Sequence, residues 1–330
     1  MALQLLLATG AFAAAPFLPQ SPAALDSPAV SATSQRVEGQ VVRPGARQML
    51  SVPHIRVTLH RVGSDHSGPL DSTRADGDGR FAFSYQRTGD SAAVYFVSAT
   101  YGGIAYFTSP LMEPVVKGEK AEIAVYDTTS GPLVIGIRGH HVVVSAVDAN
   151  AQRSITEVYE LANDSSVTRI AASTEAKSAV WSGRLPAGAT GFQVSQGDIP
   201  AAAVAFANGH VLVFAPIAPG LAQLAFTYSL PASAFPLSIP IESPTQIFEV
   251  LVEDEKGQFS GARLKEREPV ILEKRSFRRF LADDVPMNAV AVVDLPPAAP
   301  STVDRRYLVA LTLVIGGAMI LALAWALNRR

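Results

Sequence analysis

The residues best placed to do chemistry in this chain are a histidine pair, a cluster of aspartates and a run of basic side chains. His140-His141 is the one adjacent pair among six histidines. Neighbouring residues on a strand point to opposite faces, so the two cannot chelate one metal through regular strand geometry, and packing roles are expected for both. Asp71, Asp76 and Asp78 resemble a hard-cation cluster, but the EF-hand spacing and its terminal bidentate Glu are absent; an Asp-Gly hairpin accounts for them. Between Lys265 and Arg279, Lys265, Arg267, Lys274, Arg275, Arg278 and Arg279 interleave with Glu266, Glu268 and Glu273. Such mixing favours a solvated strand or loop face over a site for anionic lipid headgroups. Asn163-Asp164-Ser165 matches the glycosylation acceptor pattern and equally a polar turn.

Local catalytic signatures are missing: there is no G-x-S-x-G elbow, no H-E-x-x-H helix, no Walker A loop and no strand-to-helix G-x-G-x-x-G. A Ser, His and Asp set assembled in space needs no local motif and stays open. No catalytic, cofactor-binding or metal-binding residue is therefore assigned, and no cofactor is expected. The absence of cysteine excludes disulfides, thiol catalysis and Cys-ligated metals. With 27 basic and 29 acidic side chains the net charge of −2 provides no electrostatic footprint for nucleic acid.

The composition points instead to a membrane. Apolar residues make up 48% and charged residues 17% of the chain, and the excess hydrophobicity collects at the two ends. Tyr307 to Leu327 carries no charge and would span about 31 Å as a helix, matching a bilayer core of about 30 Å. Arg305, Arg306, Arg329 and Arg330 bracket it. Gly317, Ala318, Ala322 and Ala326 line one stripe along which a second copy could pack, giving a homodimer. At the other end, residues 1–24 read as a signal peptide: Leu3 to Ala15 forms its apolar region and Ala11-Phe12-Ala13 supplies small residues at the cleavage spacing. The arginines flanking the C-terminal helix balance, so the signal decides orientation. Export would place the body outside the cytoplasmic membrane, in the periplasmic or extracellular space; without export the chain would be tail-anchored with its domains in the cytoplasm. The exported, single-pass arrangement is the expected one.

Between the ends the period is two. Ile55, Val57 and Leu59 alternate with Arg56, Thr58 and His60, as on a strand with one face in water. Short β-rich runs recur at Val37 to Val42, Phe81 to Tyr85, Val94 to Thr100, Ile104 to Phe107 and Ala121 to Tyr126, separated by turns such as Asp76-Gly77-Asp78-Gly79. The pieces VEGQVV (Val37 to Val42), IRVTLHRV (Ile55 to Val62), ADGDGRFAFSY (Ala75 to Tyr85) and YFVSATYGGIAYFT (Tyr95 to Thr108) together resemble the carboxypeptidase regulatory-like, or transthyretin-like, domain family. That resemblance implies a β-sandwich accessory module and carries no catalytic residue with it. Further strands follow at Leu133 to Ile137, His141 to Val147, Ile155 to Leu161, Gly191 to Val194, Val211 to Phe214, Leu221 to Leu230 and Phe248 to Val252, as in an immunoglobulin-like sandwich.

The expected fold is therefore all-β, with two tandem β-sandwich domains and one C-terminal transmembrane helix. The order is signal 1–24, a Pro/Ala/Ser-rich leader 25–35, first sandwich 36–131, second sandwich 132–294, a Pro/Ala stalk 295–306, membrane helix 307–327 and a basic tail 328–330. The expected function is non-enzymatic: a membrane-anchored cell-envelope protein that binds or scaffolds a protein partner. Two alternatives stay open. One is a carbohydrate or cell-wall binding module using aromatics such as Trp181, Tyr101 and Tyr106. The other is an envelope hydrolase with an accessory sandwich.

Overall fold

A computed structural model describes residues 34–296 except 196 and 273. The expected signal, the membrane helix with its small-residue stripe, and the stalk beyond residue 296 lie outside the described residues. Among the described residues no helix is long and apolar enough to cross a membrane. What is described is all-β: its helical elements are short 3-10 turns.

The first unit is a sandwich of strands β1 (Ser34–Pro44), β2 (Met49–Ser51), β3 (Arg56–Val62), β4 (Ser67–Arg74), β5 (Arg80–Gln86), β6 (Val94–Tyr101), β7 (Ile104–Phe107), β8 (Val115–Lys117) and β9 (Ile123–Ala124). One sheet runs β4-β3-β6-β7, antiparallel throughout. The other is built on β1, which pairs antiparallel with β5 and β2 and parallel with β8 and β9. Strict alternation does the sorting. Phe81, Phe83 and Tyr85 of β5 point inward while Arg80, Ala82 and Ser84 face water, and they meet Val57, Leu59, Tyr95 and Val97 of the opposite sheet in one core. Gly39 in β1 has a steric reason to be glycine, since a Cβ there would lie 2.1 Å from the Ala121 carbonyl oxygen and 2.4 Å from the Phe81 ring. The Asp-Gly segment is a turn: Asp76 Oδ1 accepts from the amides of Asp78 and Arg80 at 2.9 and 2.8 Å, and Gly79 takes φ +74°.

The second unit comprises β10 (Thr128–Thr129), β11 (Gly136–Val147), β12 (Gln152–Asn163), β13 (Thr168–Arg169), β14 (Trp181–Arg184), β15 (Thr190–Val194), β16 (Val204–Ala207), β17 (His210–Val213), β18 (Gly220–Pro231), β19 (Leu237–Pro240), β20 (Thr245–Val252), β21 (Gln258–Gly261), β22 (Lys265–Leu272), β23 (Arg275–Val285) and β24 (Val290–Asp294). A seven-stranded sheet in the order β15-β18-β12-β11-β20-β23-β22 packs its inner face against two three-stranded sheets, β14-β17-β16 and β19-β24-β21. All neighbours in the large sheet are antiparallel except β11 and β20. The parallel pair departs from an all-antiparallel immunoglobulin-like arrangement. The two units meet at a buried 2.8 Å hydrogen bond between Tyr106 Oη of β7 and Thr168 Oγ1 of β13.

Several expected strand limits move. Residues 121–126 hold the end of a 3-10 turn and the two-residue β9, not one strand, and the run at 133–137 is loop up to Gly136, where β11 begins. The charged stretch from Lys265 to Arg279 falls in the β22–β23 hairpin at the sheet edge, and Lys274 in its turn adopts φ +67°. Charges along an exposed edge strand deter pairing with another chain, which fits the exposed Lys265, Glu266, Arg267 and Glu268 of β22.

Each unit carries an arginine at an inward-facing strand position. Arg61 of β3 donates through Nη2 to both oxygens of Asp65 at 2.7 and 2.9 Å and to the Thr88 carbonyl at 3.0 Å. Its Nη1 reaches the His66 carbonyl at 2.7 Å and its Nε the Tyr95 hydroxyl at 3.2 Å. The 63–66 and 87–90 loops are thereby held to the end of the core. Arg153 of β12, with no exposed surface, donates to the Ser145 carbonyl (3.0 Å), Asp254 Oδ2 (2.9 Å) and the Pro296 carbonyl (3.2 Å), and lies over the Phe235 ring. It thus ties β12 to the point where the described chain ends.

The Arg61 guanidinium holds the Asp65 carboxyl down to about 2, against an ordinary 3.8. A depressed carboxylate stabilises the fold above its unfolded pKa, and that contribution is lost as pH falls through the folded value. Hydrogen-exchange protection of β3 and of residues 87–97 is expected to fall between about pH 4 and about pH 2. In Asp65→Asn that acid-dependent fall shrinks to the part carried by Asp90, whose carboxyl the Ser64 and Ala92 amides also hold below the ordinary value, and protection is already lower at pH 7.

Candidate functional site

The large sheet separates two polar systems, one on each face of β11, because His140 and His141 point in opposite directions. On the inner face Glu157, near the middle of β12, is the common acceptor: His140 Nε2 lies 2.7 Å from its Oε2, Tyr159 Oη donates to the same oxygen at 3.0 Å, and Tyr228 Oη donates to Oε1 at 2.7 Å. Register explains the convergence. His140 faces Tyr159 directly across β11–β12, and their rings stack at 4.0 Å with an interplanar angle of 16°. Tyr228 arrives from β18 on the same face. Burial raises both phenols well above their ordinary pKa, and the Glu157 charge raises them further, so neither is a nucleophile near neutral pH. A cavity of about 30 Å³ adjoins His140, Glu157 and Trp181, room for about two waters. Among the described residues no Ser or Thr hydroxyl bonds to His140, so this cluster does not form the nucleophile–base pair of a triad.

On the outer face His141 Nδ1 lies 2.7 Å from Glu249 Oε2, and Arg279 Nε donates to Glu249 Oε1 at 2.5 Å. Burial pushes the Glu249 carboxyl up, but the bonds and charges of His141 and Arg279 outweigh it and hold the pKa below the ordinary value. Two further arginines of the charged stretch are similarly engaged. Arg275 forms a two-pronged pair with Glu253, and Arg278 donates to Glu266 at 3.0 Å while covering the Phe259 and Phe280 rings. Three of the six basic residues thus have carboxylate partners within the sheet, which removes them from a free basic surface.

The aromatics nominated for sugar contact divide. Trp181 is 8% exposed and packs on Tyr159 in the core. Tyr106 is 6% exposed, with its hydroxyl bonded to Thr168 and to the Tyr126 carbonyl. Tyr101 remains partly exposed and bonds Asp127 Oδ1 at 2.9 Å. Two of the three therefore form no surface platform. Asn163 is likewise interior: its Nδ2 donates to the Val167 and Ile217 carbonyls, both at 2.8 Å, and its Oδ1 accepts from Ser165. The acceptor-like tripeptide is a polar turn whose amide hydrogens are in use.

The aromatic surface lies elsewhere, on the outer face of β4-β3-β6-β7. His60 stacks on Phe96 at 5.2 Å, Phe96 meets Phe107 edge-on at 5.6 Å, and His60 Nε2 bonds Ser98 Oγ at 2.8 Å. Phe107 is 56% exposed, and the cross-strand neighbours Val62 and Val94 are 46% and 38% exposed. A sequence signal existed: these residues occupy the alternate positions to buried Leu59, Tyr95, Val97 and Tyr106. Single exposed apolar groups are ordinary, but a contiguous row on one sheet face marks an interaction surface.

Removing the shared acceptor of the inner cluster leaves one imidazole and two buried hydroxyls without their partner. Glu157→Ala is expected to destabilise the protein by about 3 kcal/mol, read as a lower urea midpoint, whereas Glu157→Gln, which keeps an acceptor oxygen, loses less. Searched against protein-family models and against curated proteins, the chain matches none.

Proposed function

We propose that this chain is a non-enzymatic envelope protein, anchored by residues 307–327, that displays two β domains outside the cytoplasmic membrane and binds a protein partner. In this reading the first unit is a carboxypeptidase regulatory-like module serving as the recognition domain. The observation that carries it is the row of exposed Val62, Val94 and Phe107 with half-buried Phe96 among them on one outer sheet face. Aromatic side chains presented on a rigid sheet lose little entropy on docking and are enriched at interface centres. The apolar ends of the sequence agree with a tethered binder, and the net charge of −2 offers no footprint for nucleic acid.

Two measurements test this. Protease added to intact spheroplasts is expected to digest residues 34–296; protection of that region until the membrane is opened would place the domains in the cytoplasm. An interface aromatic of this kind contributes about 2 kcal/mol or more. Phe107→Ser is therefore expected to reduce partner recovered by in-cell crosslinking at least tenfold, without changing the circular dichroism of the purified chain.

A further inference from the structure

Beyond the aromatic face, and independent of it, the outer face of the seven-stranded sheet holds a second candidate site. At one end of that face four adjacent strands each contribute a hydroxyl: Ser145 of β11, Ser154 of β12, Ser229 of β18 and Thr190 of β15. The register sets them in a row, with Ser154 opposite Ser229 and Ser229 opposite Thr190, while the Ser154 amide donates to Ser145 Oγ at 2.8 Å. The row lines a cavity of about 600 Å³, within the range of about 300–1,000 Å³ typical of small-molecule sites.

The cavity wall carries a fixed ion pair. Arg275 donates from Nε and Nη2 to Glu253, whose Oε2 also accepts the Ala146 amide at 2.8 Å. The remaining nitrogen, Nη1, is shielded from solvent and has no hydrogen-bond partner among the described residues. Closed to a water-sized probe, that nitrogen is equally closed to a ligand oxygen, so Arg275 serves to hold Glu253 in the cavity wall. Asp148 lines the same cavity, with Oδ1 already accepting the amides of Asn150 and Gln152. The charges there are Arg275 against Glu253 and Asp148, a small negative excess that disfavours an anionic ligand. Hydroxyls and carboxylates together match a ligand that both donates and accepts many hydrogen bonds without carrying charge.

We infer that this cavity binds a neutral saccharide, its hydroxyls spread over those of Ser154, Ser229 and Thr190 and donating to the Asp148 carboxylate in the cavity wall. The test uses the full-length chain, solubilised in a detergent without a sugar headgroup. Saturation-transfer NMR and calorimetry are run with cellobiose, maltose and N,N′-diacetylchitobiose, and with glucuronate as the charged comparator. At least one neutral disaccharide is expected to bind, with Ser229→Val and Thr190→Val each weakening it about tenfold and Asp148→Asn weakening it further. Phe107→Ser is expected to leave it unchanged, which separates this site from the proposed partner face. Silence across the three disaccharides, binding indifferent to both valine variants, or stronger binding of glucuronate would each overturn the assignment.

Discussion

A charge placed at an inward-facing position of a strand must be met by partners inside the protein, and that constraint organises both units. Arg61, Arg153 and Glu157 all sit where alternation calls for an apolar side chain, at relative exposures of 3% or less. Leaving Arg153 or Glu157 unpaired would cost several kcal/mol. Each is therefore surrounded: Arg61 by two loops and a tyrosine, Arg153 by Asp254 and two carbonyls, Glu157 by a histidine and two tyrosines. Because those partners come from distant parts of the chain, satisfying the charge also fixes which segments meet. Arg153, for example, cannot keep its bonds unless the segments at 254 and 296 both return to β12.

The same accounting separates structural chemistry from surfaces free to bind. His140, His141 and Arg279 are the residues a search for catalysis would choose first, yet each is engaged by a glutamate within the sheet. Their pairing stabilises the central strands, whose side chains are largely buried on both faces; Val143, Leu251 and Phe277 close the outer side beside the His141 pair. Groups free of such ion pairs lie at two places, Val62, Val94, Phe96 and Phe107 of the first unit and the hydroxyls of Ser154, Ser229 and Thr190 at the end of the large sheet.

Period-two alternation made the all-β class legible, and with it the inward sets of β3 and β5, because Val57, Leu59, Phe81 and Phe83 differ sharply in polarity from their neighbours. It also predicted correctly that His140 and His141 would face apart. It failed where charge broke the pattern. The β22–β23 hairpin was hidden because Lys265 to Glu268 are all charged, which is how an exposed edge strand resists aggregation, and because Arg278 and Arg279 make their contacts through ion pairs. Trp181 and Tyr106 looked available for ligand contact because ring chemistry does not reveal burial; their depth is set by which sheet folds over them. The hydroxyl row was invisible for a different reason. Ser145, Ser154, Thr190 and Ser229 are scattered in sequence, and only the register of four strands brings them into line.

The two units therefore expose opposite chemistries from the same architecture. In the first, aromatic rings occupy the outer face of a small four-stranded sheet; burying them against a partner would remove apolar area from water, which is the general driving force for association. In the second, rings such as Trp181, Tyr159 and Phe226 are turned inward to fill a core between a large sheet and two small ones, and the outer face carries charged pairs and hydroxyls around the small cluster of Val143, Leu251 and Phe277. A core that size needs its aromatics for volume, so the outer face of the second unit is more polar by default. Recognition there would depend on directional hydrogen bonds, and recognition at the first on shape and apolar contact.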